Sequence, residues 1–231
     1  MTQHAGEAIT TVAPDVYDLT LTEEPVRYRA FLFDGEEPTL VDCGLKQSAD
    51  TLIQRLETLD IEPTQLVITH GDYDHVGGLD RVVAEYGTET FVPKQTNLVT
   101  ETAADHRYEH GDAVGPFEAI HVPGHSPDNY GLVHRDRPIA VMGDSVIGAD
   151  WRGLPAGYFV LVEGVWSEDP REAERNLERF QEYDFDIGLV FHGTSVLESA
   201  REKLDAYVDH PEKPADWPSV ADLPKIRVQL D

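Results

Sequence analysis

The stretch QLVITHGDYDHVGG, residues 65–78, decides how the chain is read. Its first five residues have the apolar, β-branched character of a strand, and at Thr69 that character ends. His70, Asp72, Asp74 and His75 then follow in close succession, with Gly77 and Gly78 behind them. Imidazoles and carboxylates bind first-row divalent cations where no thiolate is available, and a loop at a strand end can bring several into one coordination sphere. A charged loop in an acidic protein is also compatible with a solvated turn. The flanks favour the first reading: an apolar strand before, and two glycines and a helix directly after, describe a tight turn whose backbone approaches something closely.

Toward the N-terminus, ITTVA (9–13), VYDLTL (16–21), RYRAFLF (27–33) and PTLVDC (38–43) read as an antiparallel meander broken at Asp34-Gly35 and Pro38. A helix is predicted over 48–59, with Leu52, Ile53, Leu56 and Leu59 on one face. Toward the C-terminus, helices are predicted over 78–86 and 96–104, and strands over 65–69, 89–93, 117–123, 129–135, 138–144 and 186–192. Asp169-Pro170-Arg171-Glu172 caps a helix running to Tyr183, and Ser195 with Glu198 reads as a second capping box opening a helix to Val208. The strand-then-helix order occurs twice, in 9–86 and 107–208, joined around 95–106. One domain of two similar halves is expected over residues 1–210, with 211–231 an acidic, Pro-rich tail that wraps the surface or is partly disordered.

Composition narrows the classes. Asp and Glu number 44 against 18 Lys and Arg, and only five of the basic residues are lysines, so the formal net charge is −26. Self-repulsion of that size is best tolerated where concentrated salt screens it over roughly 3 Å. The chain is therefore read as the cytoplasmic protein of a halophile, haloarchaeal in type, with an ordinary acidic enzyme as the alternative. No basic stripe offers itself to nucleic acid. The single cysteine, Cys43, excludes an intramolecular disulfide and a thiolate metal cluster. Residues 1–16 show neither a basic nor an apolar signal region, and no run approaches the ~18 apolar residues of a membrane span. The expectation is a soluble monomer or homodimer acting on a small molecule, with neither nucleic acid nor membrane as partner.

The loop resembles the H-x-H-x-D-H signature of the metallo-β-lactamase superfamily. Val41-Asp42-Cys43-Gly44 before it, and Pro123-Gly124-His125-Ser126-Pro127, Gly143-Asp144-Ser145 and Phe191-His192-Gly193 after it, resemble that family's other motifs in the same order. The resemblance implies an α+β fold, a four-layer αββα sandwich with two divalent metal ions in a cleft at one edge of its sheets. Carried over residue by residue, the first ion takes His70, Asp72 and His125, the second takes Asp74, His75 and His192, and Asp144 bridges them. Zinc is the first expectation. Iron or manganese is the alternative, because the family has histidine where this chain has Asp72. A carboxylate there is harder than imidazole, and three aspartates leave two divalent ions a charge of +1 before any bridging hydroxide is counted. Flavodiiron proteins resemble this pattern, with a glutamate in that place, and bind iron. A dinuclear site, a site holding only the ion at Asp74, His75 and His192, and a degenerate relative all remain open.

By the same resemblance the chain is a metallo-hydrolase of a small-molecule ester, thioester or lactone, with a glyoxalase II-like or lactonase-like core and a metal-bridging hydroxide. Asp74 would orient that hydroxide and pass its proton to the leaving group. Asp42 would orient the loop or a ligand histidine. Asn129, Tyr130 and Tyr158 are candidate substrate contacts, the first two set against a plain turn and strand start. Tyr73, Trp151 and Trp166 are either cleft wall or core. His4, His106, His110, His121, His134 and His210 read as structural or surface residues, and Cys43 as buried. The C-terminal tail is shorter and more acidic than the helical domain with which glyoxalase II proteins grip glutathione. The alternatives are a mononuclear iron oxidoreductase resembling persulfide dioxygenases, with two His and one Asp on the iron, and a metal-binding relative without turnover.

Overall fold

A computed structural model describes residues 8–22 and 27–210; the predicted tail (211–231) and His4 lie outside the described residues. The meander forms as read: β1 (Ile9–Ala13), β2 (Val16–Thr22), β3 (Tyr28–Phe33) and β4 (Thr39–Val41) pair antiparallel in sequence order. After β4 the chain changes direction. Helix α1 (Ala49–Leu59) crosses one face of the sheet, and β5 (Gln65–Val67) pairs parallel to β4. A short α2 (Tyr73–Val76) and then α3 (Leu79–Tyr86) supply the next crossover, to β6 (Glu89–Pro93), and β7 (His106–Tyr108) closes a seven-stranded sheet.

The second half builds a five-stranded sheet. Its strands are β8 (Ala113–Val114), β9 (Phe117–His121), β10 (Tyr130–His134) and β11 (Ile139–Val141), a separate hairpin of β12 (Val146–Gly148) and β13 (Phe159–Leu161) intervenes, and after α4 (Pro170–Asn176) comes β14 (Ile187–Leu189). The order is β14-β11-β10-β9-β8, with β14 parallel to β11. Helix α5 (Ala200–Val208) follows.

Side-chain alternation shows why these sheets stack. Along β3, Phe31 and Phe33 point into one apolar layer, and Ala30 and Leu32 into another. The Phe31 layer also takes Phe117, Leu132, Val141 and Leu189 from the second sheet, so it lies between the sheets. The Ala30 layer takes Leu52, Ile53 and Leu56 of α1 with Leu79 and Val82 of α3, each worth about 1.5–3 kcal/mol on burial. A third layer joins Ile120, Val133, Ala140 and Val190 to Ala173, Leu204 and Val208 of α4 and α5. Three apolar layers separate four layers of structure, an αββα sandwich.

Three local readings are corrected. Residues 96–104 form no helix, because the backbone amides of Glu101 and Thr102 donate to the Asp80 carboxylate and Thr100 Oγ1 donates to the Thr102 carbonyl. Asp169 does cap α4, accepting from Arg171 N at 3.0 Å and Glu172 N at 2.9 Å, but α4 gives way at Leu177 to a 3₁₀ turn that ends at Glu182. Ser195 opens no helix: its hydroxyl accepts from Val190 N at 3.2 Å, and α5 starts at Ala200 after Ser199.

Candidate metal centre

The parallel pairs β4/β5 and β11/β14 set the site. Asp42 follows β4, His70 follows β5, Asp144 follows β11 and His192 follows β14, so four strand ends deliver them to one rim, and the β9–β10 turn adds His125. Gly77 and Gly78 let the ligand loop lie against the segment after β4: a Cβ on Gly77 would sit 2.4 Å from Lys46 N, and one on Gly78 2.4 Å from the Cys43 carbonyl oxygen. The close approach read from these glycines is thus to the protein's own backbone. Cys43 is fully buried, its Sγ bonded to the His75 carbonyl oxygen at 3.1 Å, and burial pushes its thiol well above the usual range.

Asp42 organises the two buried imidazoles of the loop. Its backbone takes a positive φ of 56° at the strand end. Its Oδ1 accepts from Thr69 N at 2.7 Å, and its Oδ2 accepts from Thr69 Oγ1 and from His75 Nδ1, each at 2.7 Å. Because the Thr69 hydroxyl spends its proton on Asp42, it accepts from His70 Nδ1 at 3.0 Å. Both rings therefore donate from Nδ1 and turn Nε2 inward. Those two Nε2 atoms, with Asp144 Oδ1, are buried and meet no hydrogen-bond partner among the described residues.

The inward atoms fall into two groups. His70, His125 and Asp144 offer donor atoms all within 4.8 Å of one another, and so do Asp74, His75 and His192. Asp72 Oδ2 stands beside the first group, 3.1 Å from His125 Nε2 and 3.7 Å from His70 Nε2, with its side chain 47% exposed. Asp144 reaches both groups, with Oδ1 3.5 Å from His75 Nε2 and Oδ2 3.3 Å from His192 Nε2 and 3.8 Å from His125 Nε2.

Electrostatics agree with a cation site. Burial opposes charge on His75, yet the carboxylates of Asp144, Asp42 and Asp74 outweigh it and raise the imidazole well above its usual pKa. Burial opposes the charge on Asp144 too, and His192 and His75 overcome it, holding the carboxyl well below its usual range. Hydrogen bonds from His125 and His70 hold Asp72 low as well. Orphaned inward ring nitrogens and a surplus of carboxylate that otherwise draws a proton onto His75 are what divalent cations satisfy, so the residues fit two ions.

Asp72, Asp74, His125, Asp144 and His192 border a cavity of about 160 Å³ walled by Tyr28, Tyr73, Ile147, Trp151, Val162 and Trp166, with His70 and His75 beneath them. Trp151 and Tyr28 also flank the His192 ring, with centroids 5.3 and 5.7 Å away. Three candidate substrate contacts are corrected. Asn129 is fully buried and its amide is engaged: Nδ2 donates to Val122 O and Ser145 Oγ, and Oδ1 accepts from Asp144 N at 3.0 Å. It holds the backbone of Asp144. Tyr130 is buried between the sheets, with its hydroxyl 3.3 Å from Gln95 Oε1. Tyr158 is 54% exposed outside the cavity, under Lys203 Nζ at 5.5 Å.

Two carboxylates escaped the sequence reading. Asp128 accepts from Gly71 N, Thr96 Oγ1 and Ser126 Oγ, tying the His70 loop to the His125 turn. Asp150 accepts from Thr194 N and Thr194 Oγ1, both at 2.7 Å, and fixes the turn after His192 as Asp42 fixes the one before His70. Spacing carries no signal for either, since their partners are brought in by the fold. An Asp42→Asn variant is expected to weaken metal binding by about 10–100-fold, because its one carbonyl oxygen cannot accept from Thr69 N at one position and from Thr69 Oγ1 and His75 Nδ1 at the other. Competition with a chromogenic chelator measures this, and unchanged affinity would remove the orienting role from Asp42.

Comparison with known proteins follows the same lines. Residues 27–179 match the family model described as the metallo-beta-lactamase superfamily. The chain is 28% identical over 157 residues to the hydroxyacylglutathione hydrolase GloC of Haemophilus influenzae, covering 57% of this chain and 73% of that protein. It is 30% identical over 115 residues to a hydroxyacylglutathione hydrolase of Serratia proteamaculans, covering 48% of this chain but only 43% of that protein. The solved metallo-beta-lactamase from Pontibacter korlensis shares the fold with a TM-score of 0.68 at 19% identity, over 87% of this chain and 96% of that one. Among the described residues no helix is long and apolar enough to cross a membrane.

Proposed function

Because the chain belongs to the metallo-beta-lactamase superfamily, we propose that it is a metal-dependent hydrolase of a small-molecule ester, thioester or lactone. The observation that carries this is the convergence of two donor groups, His70 with His125 and Asp144, and Asp74 with His75 and His192, each within 4.8 Å, at the floor of a cavity with apolar walls. Two divalent ions held there, with Asp144 shared between them, would supply Lewis acidity and activation of water. The chain's own residues do the rest. The aromatic walls exclude bulk water from the reacting bond. Asp74, 3.6 Å from His192 Nε2 and 14% exposed, can take up a proton on its carboxylate and deliver it to the departing sulfur or oxygen. A thioester and water thus become a carboxylic acid and a thiol. The two hydroxyacylglutathione hydrolases among its relatives support thioesters within this class.

A second reading rests on Asp72. With His70 and His125 it makes a group of two histidines and one carboxylate, the set that suits a mononuclear iron oxidoreductase. Elemental analysis of the purified protein separates the two, followed by assay on a panel of thioesters, lactones and phosphodiesters. Two zinc ions per chain with hydrolysis that is lost on chelation is the expected result, and Asp72→Ala is expected to retain one ion. One iron with oxygen uptake would establish the second reading, and no metal would leave a relative without turnover. A cytoplasmic location in a high-salt organism belongs to the same proposal and is supported by the net charge of −26.

A further inference from the structure

The cavity wall has one charged residue beyond the candidate ligands. Glu163, at the entrance to the 3₁₀ turn Gly164–Trp166, lines the cavity together with Val162 and Trp166. Its side chain is 29% exposed, and its Oε1 lies 3.4 Å from Arg152 Nε. The arginine does not reach the wall: Arg152 Nη2 donates to the Leu161 carbonyl at 2.8 Å, and no lysine or arginine lines the cavity among the described residues. The member of this pair that a substrate meets is therefore the carboxylate. With two divalent ions held there, Asp72, Asp74, Asp144 and one hydroxide would balance their charge, so the floor would add no net attraction for an anion.

Size narrows the substrate further. A cavity of about 160 Å³ is below the ~300–1,000 Å³ of pockets that enclose whole ligands, so only part of a substrate enters it. The rest must pass Tyr73 and Trp166, each 70% exposed at the rim. Both are apolar faces with a polar edge, suited to flat, uncharged or cationic groups.

We infer that the substrate is a small-acyl thioester or ester whose carrier bears no negative charge, and that Glu163 turns carboxylate-bearing carriers away. This deepens the hydrolase reading and rests on it. A carboxylate brought beside Glu163 loses water and meets a carboxylate oxygen, with the Arg152 guanidinium behind that oxygen and not at the cavity surface, a repulsive element of the kind that sets specificity. By this inference the chain does not share the anionic glutathione carrier that its relatives' names indicate.

The test uses one short acyl group on three carriers: neutral N-acetylcysteamine, cationic thiocholine and anionic 3-mercaptopropionate. They are compared on the metal-loaded protein at a single ionic strength. The expected kcat/KM for the anionic thioester is at least about tenfold below the other two, and Glu163→Gln narrows that gap to within about threefold. Equal kcat/KM on all three carriers, or a gap that Glu163→Gln leaves in place, would overturn the inference. Binding of the matching non-hydrolysable thioethers, read by quenching of Trp151 and Trp166 fluorescence, is expected to follow the same order. Charge-ordered binding without turnover would overturn the hydrolase reading and sustain the selection at Glu163. Turnover with charge-blind binding would do the reverse.

Discussion

Arg29→Met is expected to destabilise the fold by about 3–5 kcal/mol, the cost of breaking a buried ion pair by removing one member. Arg29 and Asp18 are both fully buried where the two sheets meet, with Arg29 Nε 3.0 Å from Asp18 Oδ2. Burial pushes the guanidinium down to about 10 and Asp18 works against that shift, so it stays charged at neutral pH. Its Nη1 donates to the Val190 carbonyl at 2.9 Å, so one side chain from β3 binds the end of β14 in the opposite sheet. Arg27 is no substitute, because it lies 4.0 Å from Asp18 Oδ2 and its own guanidinium is bonded to Thr20 Oγ1. With total stabilities near 5–15 kcal/mol, the loss is a large fraction of the whole. A compensating double variant, Asp18→Leu with Arg29→Met, is expected to recover most of it, since apolar replacement of a complete buried pair is often neutral. Urea unfolding of the single and double variants measures both effects. A loss below about 1 kcal/mol in Arg29→Met would show that the pair is not what joins the sheets there.

Asp74→Asn is expected to lower kcat by about 10²–10⁴-fold, the usual contribution of a positioned proton carrier. The amide keeps an oxygen that can face a cation 3.6 Å from His192 Nε2, but it has no carboxylate to protonate. Metal content measured on the same preparation separates the two roles. If the ions stay and kcat falls, proton transfer is what was lost. If kcat stays within tenfold of wild type with both ions in place, Asp74 carries no proton in the rate-determining step. A thioester with a more acidic leaving thiol should lose less than one with a basic thiol, because it needs less help in departing.

The sequence carried the site better than it carried the surroundings. His70, Asp74 and His75 were legible because their spacing is local and sits on a strand-to-helix turn, whereas His125, Asp144 and His192 were picked out only by the resemblance of their short motifs to those of the family. Periodicity made the elements legible, down to Leu52, Ile53 and Leu56 on one face of α1, while their stacking as a sandwich was implied by the resemblance alone. What failed were positions whose meaning comes from partners far along the chain. Asn129 looked available in a turn, yet Ser145, Val122 and the Asp144 amide use it up. Ser195 matched a cap by spacing, but the Val190 amide engaged its hydroxyl first. Glu163 and Ile147 gave no signal because β12 and β13 are short strands that gain their role only when the hairpin folds over the rim.

The makeup of the two donor groups has a mechanical consequence. His70 comes from the seven-stranded half and is grouped with His125 and Asp144 from the other half, while Asp74 and His75 are grouped with His192 across the same seam. An ion in either group would be a stitch between the sheets, placed at the lip where the apolar layer between them runs out. Binding free energy spent there is also clamping free energy, so occupancy and closure of the lip are linked equilibria. Removing the ions would leave this edge to Phe191 of the same apolar layer, which packs edge-on against His75 with ring centroids 4.7 Å apart.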